Sequence, residues 1–278
     1  MQHNDYIIEF LSPDLCFGPV RLTGAQGLGI PAGITAVTGP NGSGKTTLGY
    51  VLERGRFGFG NRLRFAREGM RVRMLAFTDI HSFTGVDVLR FDQRMESSEN
   101  EYVPTVADIF GKAMESELWQ DMSARLSLSG VGEKRINYLS SGELRKLLII
   151  NALLAAPDIL VLDNPFIGLD APSRAELKDA LVALRDRGLN VVLLLCDPEE
   201  IPDGTDAVLR LDGCCFVGEE HVSRSSSIPE AGQLRLPGAA AGRAPAGWGG
   251  GRRREAGGGW GGEVVGGRGG GVGRGGRG

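Results

Sequence analysis

At 278 residues and 41% hydrophobic content, the chain is long enough to bury a sizeable core as one large or two small domains. Its formal net charge of −3 hides a division: from Ser223 onward nine Arg face three Glu, a net +6, which leaves the preceding part acidic at −9. An acidic body argues against nucleic-acid binding outside the tail, and no apolar run is long enough to span a bilayer, so a membrane role would come through a partner. No basic stretch followed by an apolar segment opens the chain, and Cys16, Cys196, Cys214 and Cys215 lack zinc-type spacing. These features point to a reduced, cytoplasmic compartment, with all four thiols expected as small buried hydrophobes.

Residues 6–10 and 16–22 read as short strands separated by Pro13-Asp14, an antiparallel lead-in. The apolar run at residues 34–37 reads as a buried strand and residues 46–52 as a helix. Between them Gly39-Pro40-Asn41-Gly42-Ser43-Gly44-Lys45-Thr46-Thr47 fits G-x-x-x-x-G-K-[ST] in full. In that context the glycines let backbone N–H groups and the positive end of the helix converge on phosphates. Lys45 supplies a point charge and the Thr46 hydroxyl suits a Mg²⁺ shell. An Arg-rich stretch, residues 54–73, resolves into a strand at 72–77; Arg54, Arg56, Arg62, Arg64 and Arg67 read as a solvated face.

Residues 78–102 are polar and irregular, and helical segments follow at 104–114, with Thr105 as cap, and at about 117–127; the helical insert spans about 79–138. Leu139-Ser140-Ser141-Gly142-Glu143 opens a further helix, Ser140 and Glu143 having capping-box spacing and Pro157 marking the stop. The apolar runs 159–162 and 191–195, joined by a helical stretch at 172–187, predict a parallel sheet of βαβ units. Asp163 ends the first of them, at the edge where such sheets place ligands. Residues 207–211 and 214–217, around Asp212-Gly213, read as a closing hairpin, and the folded domain is expected to end near Val222. The Gly- and Arg-rich residues 223–278 cannot bury enough surface to offset chain entropy and are expected to be disordered. They are either an RNA-binding segment or not a selected sequence at all, such as an out-of-frame translation.

With LSSGE standing between the phosphate loop and the Asp163 strand, the chain resembles an ATP-binding-cassette (ABC) nucleotide-binding domain over about residues 5–220. The family's signature there is LSGGQ. The resemblance implies an α/β P-loop NTPase over residues 1–222, with a mostly parallel sheet core, an antiparallel β lead-in and a helical insert subdomain. It implies ATP on residues 39–47, Mg²⁺ on Thr46 and Asp163, and Phe17 stacked on adenine, a position that suits a core aromatic equally well. It further implies that Ser140, Ser141, Gly142 and Glu143 reach an ATP held by a second cassette, in a homodimer or the missing half of a tandem pair. Asp170 matches the loop that crosses such an interface, or simply caps the turn before Pro172. A membrane permease is a further implied partner.

Three positions depart from the family pattern. The glutamine expected after the 72–77 strand is replaced by Thr78-Asp79, leaving Gln93 as the nearest candidate. The glutamate that acts as general base is Asn164, and the switch histidine is Cys196. A general base is worth about 10²–10⁴-fold in rate, so the site is expected to bind ATP and hydrolyse it poorly. Within the family the chain looks most like the first half of soluble tandem cassette proteins associated with molybdate transport. The alternative is a nucleotide-gated regulatory module without transport or useful turnover.

Overall fold

Ile8 and Phe10 are fully buried while their neighbours along β1 (Tyr6–Phe10) are only partly covered, so one face of this strand is core. β2 (Leu15–Phe17) and β3 (Val20–Leu22) pair antiparallel with each other. The single strand expected over residues 16–22 is therefore a tight hairpin, turned where Gly18 takes φ 59 and Pro19 has no N–H to give a ladder. β4 (Gly29–Pro31) comes next. Then the unbroken apolar run makes β5 (Ile34–Thr38), buried at every residue, and α1 (Lys45–Arg54) follows it. β6 (Leu63–Phe65) closes a three-stranded antiparallel sheet in the order β4-β1-β6, and β7 (Val72–Ala76) returns to the main sheet.

The computed structural model describes residues 6–54, 62–77 and 103–221. Arg56, Thr78-Asp79, Gln93, the first part of the proposed insert and the 223–278 tail lie outside them. Within them Arg64 pairs with Glu9 and Arg67 with Asp158 at exposed positions, as a solvated basic face requires.

The helical part is fixed by local capping. Thr105 and Asp108 form a reciprocal capping box on α2 (Val106–Phe110), Ser116 caps α3 (Glu117–Arg125), and Phe110 packs on Trp119 between them. Ser140 and Glu143 form the expected box on α4 (Ser141–Leu154). After it come β8 (Ile159–Asp163), α5 (Ala171–Asp186), β9 (Asn190–Leu195), β10 (Ala207–Asp212) and β11 (Cys215–His221).

The main sheet has the order β11-β10-β5-β9-β8-β7, parallel throughout except for the terminal hairpin. That hairpin turns on Gly213 and Cys214, both at positive φ, 52 and 62. This is the backbone that a right-twisted two-residue connection demands. The expected class is therefore observed: an α/β P-loop fold, mixed but mostly parallel, with an antiparallel lead-in and a helical subdomain. Its core joins β1, β5, β8, β9 and β10 to α1 through Phe10, Val37, Leu48, Leu52, Val161, Val192 and Leu209.

Candidate nucleotide site

β5 and β8 flank β9, with Thr38 opposite Leu195 and Asp163 opposite Leu194. The parallel register thus delivers the loop after β5 and the carboxylate ending β8 to the same edge of the sheet. There Thr46 Oγ1 donates to Asp163 Oδ2 at 2.6 Å. A cavity of about 240 Å³ opens beside this pair, lined by Asn41, Gly42, Gly44, Lys45, Thr46, Thr47 and Asn164, with Val20, Cys196 and Cys214 on its walls.

The loop is shaped by close approach. A Cβ on Gly39 would sit 2.0 Å from the Leu211 carbonyl oxygen and 2.7 Å from Ser43 Oγ. Gly44 lies at φ 96, where a Cβ would come within 2.4 Å of Leu22. Lys45 is only 5% exposed, and its ammonium donates to the carbonyls of Gly39 at 2.7 Å and Pro40 at 2.9 Å. A buried cation is thereby satisfied and the loop is pinned over the start of α1. No acidic residue occupies the first turn of that helix.

Burial raises the Asp163 carboxyl above the usual range, opposed by the Thr46 hydrogen bond and the Lys45 charge. A buried carboxylate and a hydroxyl in contact at the mouth of an amide-lined loop are a hard-oxygen donor pair that would suit Mg²⁺. Among the described residues no cluster of three or more His, Cys, Asp or Glu could hold a metal ion. Phosphate oxygens and water would therefore complete the shell.

Asn164 takes φ 50, a left-handed backbone that Asn tolerates better than most residues. Its Nδ2 donates to Asp163 Oδ1 at 3.0 Å, while its Oδ1 is buried without a hydrogen-bond partner. Cys196 Sγ donates to Asn41 Oδ1 at 2.9 Å. Both residues placed at catalytic positions by the sequence therefore do reach the cavity. Phe17 is not among the residues lining this cavity; it is half-buried and stacked on Tyr50 with ring centroids 5.2 Å apart.

The LSSGE segment stands apart, with Ser140 and Ser141 exposed. Ser140 Oγ accepts from Glu143 N at 3.1 Å, and the Glu143 carboxylate accepts from Ser140 N at 2.9 Å and from Lys134 at 2.6 Å. Burial alone would raise the Glu143 carboxyl, but these hydrogen bonds outweigh it and hold it below the usual range. Asp170 caps α5, accepting from Ser173 N at 2.9 Å.

Sequence reading missed two features. Arg145 lies over the Phe77 ring at 4.8 Å with Nε and Nη1 buried and unpartnered, and burial lowers its pKa. Lys146, 6% exposed, donates to Glu176 at 2.8 Å, tying α4 to α5. Helical spacing places both beside the signature but carries no sign of their burial. The thiols correct an expectation: none of the four is in a disulfide, and all are half-exposed rather than buried. Two of them are drawn to the cavity wall by the ends of β9 and β10, which composition does not reveal.

Fold and site together define a P-loop nucleotide-binding domain. A model of the ABC transporter family matches residues 28–167, and the chain belongs to that family as an ATP-binding cassette. It is 31% identical over 196 residues to the ABC transporter ATP-binding protein ModF of Escherichia coli K12, which covers 67% of this chain and 39% of ModF. The chain thus spans about two fifths of that relative. It is 30% identical to the zinc import ATP-binding protein ZnuC of Pseudomonas savastanoi pv. phaseolicola, over 72% of this chain and 71% of ZnuC. Among solved structures it resembles the ADP conformation of the cassette MJ1267, at 18% identity and TM-score 0.56, covering 78% of this chain and 91% of that one. The dimeric post-hydrolysis state of the cassette MJ0796 with ADP and phosphate gives 14% identity and TM-score 0.55, over 78% and 99%.

Proposed function

We propose that this cassette binds Mg-ATP, pairs with a second cassette and energises a transport system at the inner face of a membrane, hydrolysing weakly at its own site. The observation that carries the reading is the 2.6 Å contact between Thr46 and Asp163 at the mouth of the loop cavity. The loop amides and Lys45 would hold the phosphates, with Thr46 and Asp163 on the metal. Bound Mg²⁺ supplies positive charge that neutralises the phosphate oxygens. The exposed LSSGE helix start is free to meet a nucleotide held by another cassette.

Weak turnover follows from the side chains. The unpartnered Asn164 Oδ1 could orient a water by accepting a hydrogen bond but takes no proton, and the Cys196 thiol donates to Asn41 rather than standing in for an imidazole. The resemblance to soluble tandem cassettes associated with molybdate transport makes a tandem arrangement the first candidate for the second cassette; likeness to the zinc import protein ZnuC suggests an importer. The same two side chains support a second reading, a nucleotide-gated regulatory module without transport.

Steady-state ATPase measurements on the full chain, alone and mixed with a hydrolysis-competent cassette, separate the two. Turnover that appears only in the mixture supports the helper role, and none in either supports the regulatory one. Asn164→Glu is expected to raise the chain's own rate by about 10²-fold by restoring a base. It should also cost about 1 kcal/mol in stability, because glutamate fits the left-handed backbone less well. An unchanged rate in a folded, ATP-binding variant would remove the missing base as the cause of weak turnover.

A further inference from the structure

Two thiols, from elements far apart in sequence, stand on the wall of one small cavity. Cys196 follows β9 and reaches Asn41; Cys214 occupies the β10–β11 turn, with its Sγ 3.9 Å from the Gly42 carbonyl oxygen. A Cβ built on Gly44 would lie 3.5 Å from Cys214 Sγ, so this thiol stands directly over the loop. The adjacent Cys215 is different: its Sγ contacts the carbonyl of Phe216 at 3.5 Å, and the cavity is not lined by it. Cys16 lies on β2, also outside the cavity lining. Both cavity thiols are half-exposed, and neither is committed to a disulfide.

The space they border is built to collect anions. The start of α1 carries no acidic side chain and the Lys45 ammonium lies within the loop. An anionic reagent is therefore concentrated where the thiols are, whereas a neutral one is not. We propose that the nucleotide cavity is also a thiol-modification site, at which an anionic low-molecular-weight disulfide exchanges with Cys196 or Cys214 and thereby excludes nucleotide. The proposal rests on the reading of this cavity as the ATP site.

The step is thiol–disulfide exchange. The deprotonated Cys sulfur attacks one sulfur of the small disulfide, the S–S bond breaks, and the departing half leaves as a thiolate that picks up the proton. Cysteine is oxidised, one half of the reagent is reduced, and a free thiol reverses the reaction. A tripeptide-sized adduct on either wall occupies the space of about 240 Å³ in which a triphosphate would lie.

The test treats the reduced full chain with oxidised glutathione, and in parallel with the neutral oxidised mercaptoethanol, with and without Mg-ATP. Adducts are located by peptide fragmentation, and binding of a fluorescent ATP analogue is measured before and after. Adducts are expected on Cys196 or Cys214, forming about tenfold faster with the anionic reagent. With Mg-ATP at ten times its Kd, they should form about tenfold more slowly. Analogue binding should fall in proportion to modification and return with dithiothreitol. In a Cys196→Ser, Cys214→Ser variant the ratio of binding before and after treatment should be one. Adducts confined to Cys16 and Cys215, or rates indifferent to Mg-ATP in a chain that binds it, overturn the proposal. If the reduced chain binds no nucleotide, yet inorganic pyrophosphate still protects Cys196 and Cys214, the ATP reading fails and the thiol site stands.

Discussion

Two helix starts in this molecule face anions in opposite ways. The first turn of α1 borders the cavity, its loop pressed against the Leu211 backbone and held by a buried lysine. The first turn of α4 lies at the surface, satisfied by its own Ser140 and Glu143 and by Lys134. One amide cluster is kept open by the tertiary structure; the other is closed locally and carries a carboxylate where the family signature has a neutral glutamine. Packing leaves the start of α1 without a side-chain cap and open to the cavity, whereas the start of α4 satisfies its own amides at the surface.

The largest expected effect breaks the comparison at its glycines. Gly39→Ala forces a Cβ to 2.0 Å from a backbone oxygen, and should destabilise the fold by more than about 3 kcal/mol and abolish nucleotide binding. Gly142→Ala meets Leu169 at 3.4 Å and Ser140 Oγ at 3.9 Å, ordinary contacts, and should leave stability unchanged or raise it by up to about 1 kcal/mol. Chemical denaturation of both variants decides whether the first loop is as tightly fitted as this contrast requires.

Asp163→Asn sharpens the interior side. ATP affinity in the presence of Mg²⁺ should fall at least about tenfold, read by titration calorimetry, with little change in its absence. The folded state holds the Asp163 proton more tightly than the unfolded chain does, so wild-type stability declines as pH rises through the raised Asp163 value. The variant should lack that decline.

The surface side gives the smallest effect. Glu143→Gln removes an exposed ion pair worth less than about 1 kcal/mol at neutral pH. Because the folded Glu143 value is depressed, its contribution is present above the ordinary carboxyl value and is lost as pH falls through the lower one. Wild type and variant should therefore converge in acid. Loss of the negative charge should at the same time tighten pairing with an ATP-loaded cassette, by about two- to fivefold in sedimentation equilibrium.

Much of this contrast was legible before any coordinates. The phosphate loop, the capping box and the apolar strands are local signals, and Asp163 follows from the end of one such strand. The three-residue strands β4 and β6 are not legible in the sequence because they have no alternation of their own and exist through their pairing with β1. The hairpin of β2 and β3 reads as one strand in the sequence because Cys16, Phe17, Val20 and Leu22 carry through the turn as an apolar run. The exposure of the cysteines and the burial of Lys146 depend on contacts such as Cys214 with Gly42 and Lys146 with Glu176, which join segments far apart in the chain.

The bond between Lys146 and Glu176 has a mechanical corollary. Glu176 also accepts from Ser127 Oγ at 2.8 Å, so α4, α5 and the segment after α3 share one clamp. Neither helix can tilt without uncovering an ammonium that now has little access to water. The residues that cap the two helices, Ser140 and Asp170, are both exposed, so the buried charge couples two elements whose leading ends meet solvent.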